Sequence, residues 1–329
     1  MIGIAIVTGF LGSGKTTLLN RLLQTPDFAR AAVIVNEFGA IGLDHALMAS
    51  SQDRVVTLAN GCLCCAVQSD LAATLHDLTR RFAGQYDRVL IETSGLADPA
   101  PVMQALLEDA RLAATHRLDL VLTIVDAEAG LATLDRHAEA RRQVAMADRL
   151  ALSKTDLTPL DPALAARLAT LAPGVPVGTV QDGADALLGS ADAGARAARL
   201  GKTDRPRLRA EHGRGHVAVA LRRSKPIPGA ALSLWLDTLS ALCGPKLLRL
   251  KGIVEIAELP GRPAVLHAVG HRLAPPAWLD AWPDTERASR IVVIGEDLPA
   301  DLPARLLAAI EAEVGEAEVG EAEGNGDSL

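Results

Sequence analysis

One eight-residue stretch constrains this chain more than any other. Gly9-Phe-Leu-Gly-Ser-Gly-Lys15-Thr16 fits the pattern G-x-x-x-x-G-K-[ST]. It lies between an apolar run, IGIAIVT at 2–8, and a helix-patterned stretch from Lys15 to about Leu23. The pattern needs that context, because a strand must deliver the chain to a tight loop and a helix must begin where the loop ends. Gly9, Gly12 and Gly14 let backbone N–H groups curl around phosphates at a helix N-terminus. Ser13 and Thr17 complete the expected cradle. Lys15 can reach the β- and γ-phosphates, and the Thr16 hydroxyl can ligate Mg²⁺.

Similar apolar runs recur at 31–35, 54–58, 87–91, 119–125 and 148–152, most with helical patterns between them. Alternating strands and helices predict a doubly wound α/β layer structure with a mostly parallel sheet. Around 182–212 the chain turns rich in Ala, Gly, Asp and Arg without periodicity, as a linker would. Beyond it the rhythm changes: a strand at 216–221, a helix near 229–242, strands at 247–257, 263–273 and 290–295, and a final helix over about 301–312. The predicted organisation is a P-loop domain at 1–185, a linker at 186–212, a smaller α+β domain at 213–313 and an acidic, disordered tail at 314–329.

Three further segments bear on the nucleotide. Ser153-Lys154-Thr155-Asp156 follows a predicted strand, where GTPases carry N-K-x-D. The Asp156 carboxylate can accept two hydrogen bonds from the guanine edge, which adenine cannot supply, and the Lys154 stem would lie over the base. Ser153 in place of Asn loses an amide's bonding capacity. Residues 87–98, DRVLIETSGLAD, form an apolar strand ending in Glu92, a carboxylate on the expected Mg²⁺ side. Glu92 could touch the ion directly, reach it through water, or position the attacking water. Between these elements, Asn36-Glu37-Phe38-Gly39 runs on to Asp44, in the place of a switch that would sense a γ-phosphate.

The chain has four cysteines, and three of them, Cys62, Cys64 and Cys65, sit in ANGCLCC. In extended geometry Cys62 and Cys64 share a face and Cys65 points away. A turn begun at Asn60-Gly61 would bring all three inward. Three thiolates suit Zn²⁺, or Cu(I), with a fourth ligand from water or a carboxylate. A disulfide within so short a stretch would need a distorted peptide or a very small ring. Cys243, after the apolar face of a helix, is expected in a core.

Composition limits the partners. No apolar run approaches the ~20 residues of a membrane helix, and the N-terminus turns straight into a folded-looking strand, so a cytoplasmic protein is expected. Lys and Arg number 33 against 40 Asp and Glu, a net charge of −7, and seven of the acids lie beyond Arg305. The remainder is balanced, which gives no basic footprint for nucleic acid. With aromatics at only 2 %, the cores must be built from Ala, Leu and Val.

Taken in order, TGFLGSGKTTLLN, VNEFGAIGLD, NGCLCC, ETSGLADP and SKTD resemble the CobW-type metallochaperone GTPases, a family that includes the zinc-regulated GTPase metalloprotein activators. LLRLKGIVEI and SRIVVIG resemble that family's second domain, so the resemblance covers roughly 1–310. It implies GTP and Mg²⁺ at the P-loop, a zinc site at Cys62, Cys64 and Cys65 coupled to hydrolysis, and a client metalloprotein that receives the metal. Glu37 matches the switch glutamate, a neighbour of that metal. Many relatives carry a His-rich stretch before the second domain, whereas this linker has only His212 and His216.

The expected activity is slow GTP hydrolysis, with Lys15, Thr16 and Glu92 at the reacting phosphate and no arginine finger or glutamine in evident reach. A P-loop ATPase or kinase with structural cysteines is the rival enzyme. The rival binding protein is a metal buffer or sensor in which nucleotide only stabilises the fold. Monomer and dimer both stay open. His76, His116 and His137 are expected to be solvated. His267 and His271, on one predicted strand, would stand about 13 Å apart, too far to share an ion.

Overall fold

Ile4, Ile6 and Val7 are wholly removed from solvent within β1 (Ile2–Thr8). A strand apolar on both faces belongs in the middle of a parallel sheet covered by helices on each side. The computed structural model describes residues 1–36, 55–58, 66–188, 216–283 and 285–324. They divide into two compact units, Met1–Asp192 and Ala193–Leu329.

In the first unit β1 is joined by β2 (Ala31–Asn36), β3 (Val55–Leu58), β4 (Arg88–Thr93), β5 (His116–Asp126), β6 (Arg149–Ser153) and β7 (Val177–Thr179). The order is β3-β2-β4-β1-β5-β6-β7, with every pair parallel. β1 thus lies where the order reverses, and open α/β sheets bind ligands at the carboxyl ends of strands beside such a point. The register brings those ends level. Val7 pairs with Glu92, Asn36 with Leu58 and Thr93, and Asp126 with Ser153.

Helices cover both faces. α1 (Lys15–Leu23) packs Leu18, Leu19 and Leu22 against Val7, Leu90 and Leu122. α2 (Ala66–Arg81), α3 (Ala100–Glu108) and α4 (Ala110–Thr115) follow in chain order. α5 (Gly130–Arg136), α6 (Ala138–Ala145) and α7 (Pro162–Leu171) share a second cluster with Leu150 and Leu152 of β6, while Ala151 turns to the α1 side.

α8 (Val180–Leu188) corrects the sequence reading, which began the linker near 182. Ala184, Ala186 and Leu187 pack in the α1 cluster, so their small side chains serve close packing rather than freedom. Small residues lower hydrophobic contrast without abolishing a buried stripe.

The second unit is an antiparallel sheet: β8 (His216–Arg223), β9 (Leu247–Val254), β10 (Ala264–Val269), β11 (Arg272–Leu273) and β13 (Ser289–Glu296), ordered β11-β10-β9-β13-β8, with β12 (Ala277–Trp278) on β10. Leu250 and Val254 share a core with Trp235 and Leu239 of α9 (Gly229–Cys243) and Leu307 and Ile310 of α10 (Leu302–Gly324). Trp235 is fully buried and its indole N–H donates to the Pro303 carbonyl at 3.0 Å. Cys243 lies in the same core, where burial pushes its thiol up.

Two expectations change here. The strand predicted at 263–273 breaks at Gly270, which takes φ 58, and the chain returns as β11. His267 therefore stays in β10 while His271 falls in the turn. α10 runs to Gly324, across the boundary predicted at 314. Ala and Glu are strong helix formers, so a low-complexity repeat of them need not end a helix.

Candidate functional site

The loop after β1 turns on residues in conformations that suit glycine. Gly9 has φ 143, and a Cβ there would lie 2.3 Å from the Ile124 carbonyl. Gly14 has φ 93 and N-caps α1 without any side-chain cap, and the first turn of α1 has no acidic residue. The orphan N–H groups and the positive dipole end of α1 are thus left to an anion from outside the helix. That is the test a phosphate must pass, and this loop passes it.

Lys15 is buried and donates from Nζ to the carbonyls of Gly9 at 2.8 Å and Phe10 at 3.3 Å, so it folds over the loop. Thr16 Oγ1 donates to Glu92 Oε1 at 2.7 Å. Glu92 is 5 % exposed, a carboxylate held at the end of a buried strand. Next to it Thr93 Oγ1 donates to Thr8 Oγ1 at 2.7 Å, tying the ends of β4 and β1. Ser13 Oγ is buried without a hydrogen-bond partner among the described residues.

β6 delivers the predicted base-reading segment to the same sheet edge. Ser153 is buried, and its Cβ lies 3.8 Å from where a Gly14 Cβ would stand. Lys154 takes φ 57, uncommon for a residue with a side chain. Its ammonium pairs with Asp126 at the end of β5. Burial opposes the Asp126 charge, but the Lys154 hydrogen bond and the N–H groups of Ala129 and Glu128 outweigh it and hold the carboxyl below its usual range. The same bond holds the Lys154 ammonium above its ordinary value. Asp156 is exposed beyond it.

The structure thus gathers Gly9, Gly12, Ser13, Gly14, Lys15, Thr16, Thr17 and Glu92, with Lys154 and Asp156 on the loop that leaves the same edge. Glu37, Cys62, Cys64 and Cys65 lie outside the described residues, as do Asp44 and His45. Among the described residues no group of three or more His, Cys, Asp and Glu is placed to hold a metal ion. No helix among them is long and apolar enough to cross a membrane.

Several contributors carried no sequence signal. Asp98 lies two residues ahead of α3, and Arg142 and Gln143 occupy an unremarkable helical stretch. His137 was expected in solvent, but its ring stacks on Phe10 of the P-loop at 4.4 Å between centroids. His116 is also corrected: it is 4 % exposed, with Thr115 Oγ1 2.9 Å from Nδ1 and Tyr86 Oη 3.5 Å from Nε2. Both histidines lie against elements distant in sequence, which local pattern cannot reveal.

Residues 3–177 match the family described as CobW/HypB/UreG, nucleotide-binding domain. The chain belongs to that family. Residues 217–311 match the cobalamin synthesis protein cobW C-terminal domain, so the second unit agrees with the first. Within the family, the chain is 33 % identical over 307 residues to the zinc chaperone YjiA of Escherichia coli, covering 91 % of this chain and 96 % of that protein. It is 33 % identical over 189 residues to the zinc-regulated GTPase metalloprotein activator 1 of Saccharomyces cerevisiae, covering 51 % of this chain and 44 % of that protein. The Zn(II)-bound YjiA GTPase from E. coli superimposes with a TM-score of 0.69 at 27 % identity, covering 94 % of this chain and 98 % of that one. The family relationship, and the two-domain fold with a parallel P-loop sheet, are therefore as the motifs implied.

Proposed function

We propose that this protein is a GTP-hydrolysing metal chaperone that binds Zn²⁺ as cargo through Cys62, Cys64 and Cys65 and passes it to a client metalloprotein under control of the nucleotide. The observation that carries the nucleotide half is the Thr16–Glu92 contact beside the folded-over Lys15. Those groups, with the uncapped start of α1, fit a Mg²⁺–triphosphate: Thr16 and Glu92 would hold the ion, and Lys15 the phosphate oxygens. The bound ion supplies charge neutralisation at the phosphates. Lys154 and Asp156 would select guanine. Slow unassisted turnover belongs to the same reading, because the sequence places no evident arginine finger or glutamine at the reacting phosphate.

Support for coupling comes from connectivity. The three cysteines lie in the stretch between β3 and α2. β3 ends at Leu58, in register with Asn36, which is in register with Thr93 beside Glu92. β3, after which the cysteines come in sequence, therefore ends at the same sheet edge as the carboxylate. The relatives named zinc chaperone and zinc-regulated GTPase metalloprotein activator point to the same pairing of GTP and zinc.

The test is a pair of zinc dissociation constants, one with a non-hydrolysable GTP analogue and one with GDP, at fixed Mg²⁺. They should differ by ~1–3 kcal/mol, with the GTP form tighter, and zinc must shift the GTP-over-GDP preference by the same factor. Equal constants would reduce the cysteines to a static site.

A further inference from the structure

α6 touches both loops of the nucleotide site. At its start, His137 stacks on Phe10 of the P-loop. Near its end, Gln143 is 1 % exposed and donates from Nε2 to two carbonyls of the loop after β4, Gly95 at 3.1 Å and Ala97 at 3.0 Å. Its neighbour Arg142 donates from Nη1 to Asp98 Oδ2 at 3.0 Å. Asp98 is itself fixed, since its Oδ1 accepts the Ala100 N–H at 2.9 Å where α3 begins. The helix is anchored in turn, because the Gln143 carbonyl accepts Thr123 Oγ1 from β5 at 2.8 Å. Both hydrogens of one carboxamide are thus spent on a loop only three residues beyond Glu92. The pinned loop lies hard against the P-loop: a Cβ on Gly95 would stand 2.6–2.9 Å from Leu11 Cδ2, N and Cα.

We infer that Gln143 and Arg142 are positioning residues for GTP hydrolysis. They hold residues 95–98 against the P-loop and thereby keep Glu92 on Thr16. The inference rests on the GTPase reading above, and adds to it the helix that sets the post-β4 loop. Gln143 is suited to this because a carboxamide can donate twice and carries no charge into a buried site, whereas a carboxylate of the same shape would face two carbonyl oxygens.

The experiment uses the full chain. Gln143→Glu, Arg142→Met, Asp98→Asn and the double variant Arg142→Met/Asp98→Asn are compared with wild type by steady-state GTP hydrolysis, fluorescent-GDP affinity and hydrogen–deuterium exchange of peptides covering 94–99. Gln143→Glu should lose ~10-fold or more in kcat, in line with the cost of small misplacements near a reacting centre, with GDP affinity within about twofold. Arg142→Met and Asp98→Asn should each lose less. The double variant should be no worse than either single one, because both remove the same ion pair. Exchange at 94–99 should quicken in every weakened variant.

Wild-type kcat and wild-type exchange in Gln143→Glu and Arg142→Met would overturn the assignment. So would a kcat loss matched by an equal loss of GDP affinity, which marks general damage. If Gln143→Glu does not fold, the part-exposed Arg142–Asp98 pair decides through its single and double variants. If wild type fails to hydrolyse GTP, the GTPase reading fails by itself, while the exchange data still accept or reject the clamp.

Discussion

Thr16 Oγ1 and Glu92 Oε1 meet at 2.7 Å although 76 residues separate them. The contact exists because β1 and β4 are neighbours in a parallel sheet whose register sets Val7 beside Glu92. Two oxygens of different acidity are thereby aimed at one point on the P-loop's rim. Glu92→Gln keeps the shape and removes the charge. It should lower GTP hydrolysis by ~10²-fold, the ordinary cost of losing one preorganised electrostatic group, with GDP binding in the absence of Mg²⁺ little changed. Hydrolysis at wild-type rate would remove Glu92 from the reacting centre.

The base-reading prediction concerns Asp156. Asp156→Ala should weaken GTP by roughly 1–3 kcal/mol by leaving two guanine donors unpaired, and should leave ATP unaffected. Competition of the two nucleotides against a fluorescent guanine nucleotide measures it. Asp126→Asn should show a smaller loss with the same base preference, since it frees Lys154 without touching the acceptor.

Gly95 makes a packing prediction. Its missing Cβ is the space that Leu11 backbone occupies, and backbone cannot move aside as a flexible side chain does. Gly95→Ala should destabilise the first unit by ~1–3 kcal/mol, the usual cost of overpacking, and slow hydrolysis as the two loops part. Urea unfolding followed by hydrolysis assays tests both. Unchanged stability would mean that the loops are not held in contact.

His116 makes stability depend on pH. Burial is the largest influence on it, followed by the nearby positive charge of His76, and both hold its pKa below the ordinary 6.5. Below pH 6.5 the unfolded chain takes up a proton that the folded protein refuses, so stability must fall as pH drops through that value. Melting temperatures from pH 8 to pH 5 should decline for wild type and decline less for His116→Gln. Parallel curves would place the dependence on other groups.

The strand–loop–helix setting of the P-loop and the alternation of strands and helices were legible in sequence, because each is local. Phosphate binding needs glycines at fixed offsets between a strand and a helix, and IGIAIVT-GFLGSGKT carries all of it within fifteen residues. Glu92 was legible for the same reason, as the acid ending an apolar run. Gln143 and Arg142 were not. Their roles depend on Gly95, Ala97 and Asp98, 44 to 48 residues away, and nothing in RRQVA distinguishes an amide aimed at a loop from one aimed at water. His116 looked solvated and is buried because β5 begins beneath Tyr86. α8 resembled linker because alanines pack closely without a strong apolar signature.

By itself, then, the sequence determined the family, the order of the elements, and the local patterns of the P-loop and of the segment that follows β6. These are properties of residues within a few positions of one another. Tertiary structure alone decided which of those segments meet. The parallel register carries Glu92 to Thr16 and Asp126 to Lys154, and the packing of α6 ties the loop after β4 to the sheet. Such pairings follow from strand order and helix docking, which arise from many weak contacts across the whole domain, and no short stretch of sequence contains them.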